Sequence, residues 1–295
     1  MHLTNSFSRR LRIPLLSLTI ATLVSGSAVE AGAAEKVHEP ELLFNGRNLE
    51  GWTVFIEKQP AGSDPDQLFQ VIDGVIHVYR SAPAGSAQPF GYIATKKVYS
   101  HYRLTLEYRW AEKKFQPRAT EVRDSGLLYH VARNEEVWPR SIELQIQERD
   151  VGDIFTVNTR VHSTVDPRQI PPDEPKQWGG ALYLPPENGG VQHGIGGDWI
   201  ARIRKSDMHE RDGWNTIELE VRGDRATHRV NGHMNNRCFQ FEQPDPAHPG
   251  KFLPLREGRI ALQAEGAEVL FRNIVLTPLD PEPPPSTERR SVSSK

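Results

Sequence analysis

One cysteine in 295 residues, Cys238, rules out an internal disulfide, so the fold must be held by its core. Cys238 lies between Arg237 and Phe239, beside Asn235-Asn236, without the patterned partner that a nucleophilic thiol needs. An excess of charge is missing too. The 36 Lys and Arg against 38 Asp and Glu leave a net charge of -2, which speaks against a nucleic-acid partner and against a strongly acidic surface. No stretch keeps helical periodicity over several turns, and heptads, nucleotide-binding glycine loops and serine-centred elbows are absent. Eleven histidines are present, yet no His-x-His or His-Glu-x-x-His spacing occurs, so no zinc site is expected.

Long apolar runs are equally scarce. Arg9, Arg10 and Arg12 precede one over 13–24, small residues follow through Ala34, and Ala31-Gly32-Ala33 suits a cleavage site. This layout predicts a secretory signal over 1–34 and export to the periplasm or the exterior. The run is too short to span a membrane comfortably, so no span is expected once the signal is removed. Ser8-Arg9-Arg10-Leu11 leaves the export route open between general and twin-arginine secretion. Residues 281–295, with Pro283-Pro284-Pro285 and then Ser and charged residues, read as a disordered tail.

What fills the rest, 35–280, is short alternating runs between turn residues. Runs over 68–72 and 75–79 flank Asp73-Gly74, a hairpin signal. Residues 102–109, 200–203, 216–221, 227–230, 259–263 and 269–276 alternate likewise, with turns at Arg222-Gly223-Asp224 and Asn231-Gly232. The pattern predicts an all-β, two-sheet antiparallel sandwich forming a single domain. One segment departs from it. Residues 152–198 hold six prolines and three Gly-Gly pairs and read as a long ordered loop insert, carrying His162, Trp178, Tyr183 and His193.

The insert follows the most informative strand, 141–148. Ile142, Leu144 and Ile146 occupy one face, and Glu143, Gln145 and Gln147 the other. A carboxylate with two amides at fixed spacing can accept from and donate to hydroxyls. A plain solvated face would explain the same row. Just upstream, Asp124-Ser125-Gly126-Leu127-Leu128-Tyr129-His130 reads as the adjacent strand, so two polar rows would line one concavity.

Leu43-Phe44-Asn45-Gly46-Arg47-Asn48-Leu49-Glu50-Gly51-Trp52 opens a series of blocks in a recognisable order. Asp73-Gly74-Val75-Ile76, Asp124-Ser125-Gly126-Leu127 and Ile142-Glu143-Leu144-Gln145-Ile146-Gln147 follow. Then come Gly213-Trp214-Asn215-Thr216, His228, Asn231-Gly232, Ile260-Ala261-Leu262-Gln263 and Phe271-Arg272-Asn273-Ile274. Together they resemble the 3-keto-disaccharide hydrolase family, also described as 3-keto-glucoside 1,2-lyase and 3-keto-2-hydroxy-glucal hydratase. The resemblance implies a jelly roll of the concanavalin A-like lectin/glucanase type, with a concave face for a sugar or glycoside; no cofactor is expected from the sequence. The chain departs from the family at Asp124, where Asn is usual, at His130, where Arg is usual, and at Glu265, where His is frequent.

The chemistry that the resemblance implies starts from a 3-keto group, which acidifies the C2 hydrogen. A base removes that proton and the C1 substituent leaves by β-elimination, or water adds back to the glucal. Glu143 is the expected base, with His130 or Gln145 as donor and Glu265 as a further catalytic candidate. Asp124, Ser125, Gln145, Gln147, Trp178, His228 and Gln263 are the substrate-binding candidates, although the alternation around His228 also suits a core histidine. Asp150-Val151-Gly152-Asp153 offers oxygens to a structural calcium, but a solvated turn explains it as well and no metal is required. Two other readings stay open: a carbohydrate-binding module without chemistry, and an ordinary glycosidase with a carboxylate pair.

Overall fold

A computed structural model describes residues 38–132, 136–170, 180–197, 199–205 and 207–281. The signal expected over 1–34, Trp178 and the tail past Pro281 lie outside the described residues. The chain forms β1 (Glu41–Leu42), β2 (Trp52–Ile56), β3 (Phe69–Ile72), β4 (Val75–Val78), β5 (Gly91–Thr95), β6 (His101–Lys114) and β7 (Asp124–Val131). There follow β8 (Ser141–Gln147), β9 (Ile154–Val157), β10 (Arg160–Val165), β11 (Ala181–Leu182), β12 (Val191–Gly196) and β13 (Ile200–Arg204). The last six are β14 (Asn215–Arg222), β15 (Arg225–Val230), β16 (His233–Pro244), β17 (Phe252–Pro254), β18 (Arg259–Ala264) and β19 (Ala267–Pro278). Among the described residues the only helical pieces are two single 3-10 turns, Pro167–Gln169 and Pro186–Asn188.

Two sheets form an antiparallel jelly-roll sandwich. The larger runs β12-β10-β16-β15-β14-β6-β19-β4-β3, with β1 added on β19 and β17 on β16. The smaller runs β11-β13-β9-β8-β7-β18-β5-β2, and its β11–β13 pair is parallel. The chain crosses between the sheets repeatedly, so residues far apart in sequence become neighbours in the smaller sheet. The hairpin between β3 and β4 turns on Asp73 and Gly74, at φ 51° and 76°, which only a short polar residue and a glycine adopt without strain.

Alternation fixes which face is buried. Ile142, Leu144 and Ile146 are fully buried between the sheets, packed in one cluster with Leu104, Leu127, Leu219 and Phe271. Glu143, Gln145 and Gln147 therefore point to the opposite face of the smaller sheet. A one-residue slip would exchange the two rows, so burial of three aliphatic side chains sets the register.

Residues 152–198 are not a loop laid over a finished sandwich. They contribute β9 to the smaller sheet and β10 and β12 to the larger one. The prolines and glycines sit between these strands, and β10 hides its inward residues Val161, Ser163 and Val165 by simple alternation. Asp150 and Asp153, offered to a calcium by the sequence, are instead held by cations. Arg202 donates to Asp153 at 2.6 Å and pairs with Asp150 at 3.0 Å, and the Lys205 ammonium lies 3.4 Å from Asp150. Among the described residues no cluster of three or more His, Cys, Asp or Glu is arranged to hold a metal ion.

Candidate functional site

The outward face of β7, β8 and β18 forms the floor of a cleft of about 580 Å³, within the usual size range of small-molecule sites. Register brings the floor together: Asp124 lies opposite Gln147, Gly126 opposite Gln145 and Leu128 opposite Glu143. On the other flank of β7, Ala261 pairs with Leu128, which puts Gln263 and then Glu265 on the same face. Phe155, Val157, Ile200 and Arg202 wall one side, and Phe90, Pro117 and Trp138 the other.

Gly126 decides how the floor closes. A Cβ there would lie 2.0 Å from Glu143 Oε1 and 2.3 Å from Gln263 Oε1. The absent side chain is the space in which these two oxygens meet. Both are buried and without a hydrogen-bond partner, as is Asp124 Oδ1. Buried polar atoms are seldom left so, and three of them aimed into one cleft indicate a place for a polar ligand.

Two of the cleft's carboxylates share one guanidinium. Arg118, from the segment before β7, reaches Asp124 at 2.5 Å and Glu265 at 2.7 Å. Its loop is held beside Glu265 by the Phe115 N–H, which donates to Gly266 O at 2.9 Å. Gln147 donates to Asp124 Oδ2 at 2.6 Å, and the Trp138 indole donates to Glu265. Burial pushes Asp124 up to about 6 despite Arg118 and Gln147. Glu265 rises to about 8 through burial and then the Asp124 charge. Glu143 is pushed well above the carboxylate range by burial first, then by Glu265 and Asp124. Near neutral pH the Asp124–Glu265 pair therefore carries one carboxylate charge, on Asp124, beside one guanidinium, and the shift of Glu143 favours its protonated form.

Of the residues proposed from sequence, Asp124, Glu143, Gln145, Gln147, Gln263 and Glu265 line this cleft. The sequence predicts Glu143 as a solvent-facing base; it is only 5% exposed, and burial pushes its carboxyl well above the ordinary value. Three further candidates are not brought there. His130 would share the face of Asp124 and Gly126 by strict alternation. A bulge at Tyr129-His130 opposite Ile260, with His130 at φ 52°, turns its ring into the interior. There its Nε2 lies 2.7 Å from Gly223 O, its ring packs on Phe241, and burial pushes it down to about 4. Ser125 faces the core and donates to Gln263 O at 2.8 Å. His228 is a core histidine, with Nε2 3.0 Å from the Tyr129 hydroxyl and Nδ1 3.3 Å from Gly152 O.

Arg118 and Trp138 escaped the sequence reading. Trp138-Pro139 immediately precedes the polar strand, and an aromatic entering that strand was the available signal. Nothing around Arg118 marks it, because its partners are 6 and 147 residues away.

Solved structures of similar shape are remote in sequence. A candidate glycosyl hydrolase of Parabacteroides distasonis matches at TM-score 0.46 and 18% identity, over 82% of this chain and 94% of its own. The carbohydrate-binding module CBM66 of Bacillus subtilis matches at TM-score 0.40 and 11% identity, over 77% and 95%. The β-glucanase of Bacillus licheniformis matches at TM-score 0.40 and 9% identity, over 83% and 99%. No curated protein matches the chain. The model of one family, the 3-keto-alpha-glucoside-1,2-lyase-like domain, matches residues 39–277. With that match spanning most of its length, the chain is a carbohydrate-active protein and belongs to the 3-keto-alpha-glucoside-1,2-lyase-like domain family.

Proposed function

We propose that the protein, exported as residues 1–34 suggest, acts on 3-keto-glucosides, eliminating the C1 substituent and, in reverse, adding water to the keto-glucal. The observation that carries this is Arg118 bridging Asp124 and Glu265, two carboxylates whose proton affinities stand on either side of neutrality. Pairs of acids pushed apart in this way divide into a base and an acid. Asp124, ionised, takes the C2 proton. The C2–H electron pair forms the C1=C2 bond, the C1–O bond breaks, and Glu265 gives its proton to the leaving oxygen. One negative charge thus moves from Asp124 to Glu265 while Arg118 faces both, so the guanidinium is never left without a counter-charge and little reorganisation is needed.

Glu143, protonated, has an O–H to donate to the oxygen at C3 as charge develops there, the role a carboxylic acid takes when its surroundings keep it neutral. Gln145 and Gln263 supply hydrogen bonds to sugar hydroxyls. Hydration runs the same exchange backwards: Glu265 accepts a proton from water and Asp124 returns one to C2.

The test is incubation of the purified protein with a 3-keto-disaccharide and with its non-oxidised parent, following the C2 hydrogen by NMR in deuterated water. Cleavage of the keto sugar alone, with C2 exchange, is the expected result. Cleavage of both would identify an ordinary glycosidase, and binding without turnover a carbohydrate-binding module.

A further inference from the structure

Beyond Trp138 the cleft does not end. A second hollow of about 580 Å³ continues past the same wall, with Phe90, Pro117 and Trp138 lining both. The two compartments differ in chemistry. The first is floored by the carboxylates and amides described above. The second is built mainly from Ala87, Pro89, Phe90, Pro117, Val137 and Trp138. Of its four polar members, Gln88 donates to Ser86 Oγ at 3.0 Å, Lys58 pairs with Glu57 at 3.1 Å, and Gln116 is exposed.

Trp138 stands at the junction, 43% exposed, with its ring centroid 6.2 Å from that of Phe90 and its indole N–H on Glu265. An aromatic face open at the junction of two hollows is available for a ligand ring to stack on. It sits beside the carboxyl that, in the reading above, protonates the leaving oxygen. The group attached to that oxygen must then lie against Trp138 and enter the second compartment.

Resting on that reading of the carboxylates, we infer that the second compartment is a leaving-group subsite and that it takes a flat apolar aglycone, a phenol, in preference to a second sugar. A second sugar would bring several hydroxyls against Ala87, Pro89, Phe90, Pro117, Val137 and Trp138, most of whose side chains offer no hydrogen bond, and unpaired hydroxyls weaken binding. A phenyl ring buries apolar area on Pro89, Pro117 and Val137 and stacks on Trp138 or Phe90. The chemistry agrees. In the elimination the C1–O bond breaks and the phenol departs with the proton from Glu265, with no co-reactant required.

The experiment varies the group at C1 and blocks only the second compartment. Ala87 is exposed and lines that compartment alone, so Ala87→Trp fills it without touching the carboxylates or the core. Affinities of phenyl, methyl and glucosyl 3-keto-α-glucosides are measured by calorimetry on Asp124→Asn, in which turnover is slowed, with and without Ala87→Trp. Turnover is followed in parallel on Ala87→Trp alone. The phenyl compound should bind about tenfold more tightly than the methyl and glucosyl ones, and Ala87→Trp should remove that advantage while leaving the methyl compound unchanged. A glucosyl compound that binds as tightly as the phenyl one, or a phenyl advantage that survives Ala87→Trp, overturns the inference. Full turnover by Asp124→Asn would sink the assignment of the base instead. The aglycone preference would then be read from KM in the otherwise wild-type chain and in Ala87→Trp.

Discussion

Glu265→Gln tests the electrostatic reading of the cleft directly. The substitution keeps the size of the side chain and an oxygen for Arg118 and Trp138, and it removes the titrating proton. Burial first, then the charge of Asp124, lifts the Glu265 carboxyl from 4.5 to about 8. In the unfolded chain it titrates near its ordinary value. Between those limits the folded protein holds a proton that the unfolded chain has released. The stability due to that proton is complete below about 4.5 and is lost as the pH rises through about 8. At roughly 1.4 kcal/mol per pH unit, one proton held over that window gives a ceiling of about 5 kcal/mol. The charge of Glu265 also raises Glu143, which the substitution relieves, so part of the effect appears there. We expect the variant to gain about 2–4 kcal/mol on the wild type between about pH 5 and pH 8, and nothing further above that. Urea unfolding of both proteins at steps of about half a pH unit measures the difference. A difference independent of pH would mean that Glu265 titrates as an ordinary surface carboxylate, and it would remove Glu265 as a proton donor.

Asp124→Asn should lower kcat by about 10²–10⁴-fold and slow C2 hydrogen exchange equally, the range of general-base catalysis; unchanged exchange in NMR places the base elsewhere. The pH profile of kcat/KM should be bell-shaped, rising through about 6 as Asp124 ionises and falling through about 8 as Glu265 loses its proton; a profile still rising at pH 9 counts against Glu265 as the acid. Gly126→Ala should leave a folded protein with KM raised about tenfold or more, because the methyl group displaces only the flexible ends of Glu143 and Gln263, yet displaces both; wild-type kinetics would show that the floor is not used. His130 and His228 are held neutral, each pushed down to about 4 by burial. Stability should therefore fall as the pH drops from about 6.5 to 4, by up to about 3 kcal/mol per histidine. His130→Asn, which tolerates the positive φ, should flatten that limb in acid unfolding; an unaltered limb would refute the assignment.

Alternation made much of this molecule legible in advance. Three aliphatic residues two apart, Ile142, Leu144 and Ile146, can be buried together on only one face of a strand, so the same sequence that fixed the core also fixed Glu143, Gln145 and Gln147 on the cleft side. Asp73-Gly74 likewise fixed a hairpin, because the turn needs positive φ at both positions and these residues provide it. Such information is local, and it survives being read one strand at a time. The departures from the family at Asp124 and Glu265 were also visible, and these are the two carboxylates that Arg118 bridges.

What local pattern could not supply was decided by pairing between distant strands. The bulge that turns His130 inward depends on β18, some 130 residues later, meeting β7 one residue short. The strands within 152–198 find partners in both sheets and lose the look of an insert only once those partners are present. The upward shift of Glu143 has the same origin. A carboxylate on an outward strand face is ordinarily ionised, and only burial in a closed cleft, with Glu265 and Asp124 brought beside it, pushes this carboxyl well above its ordinary value.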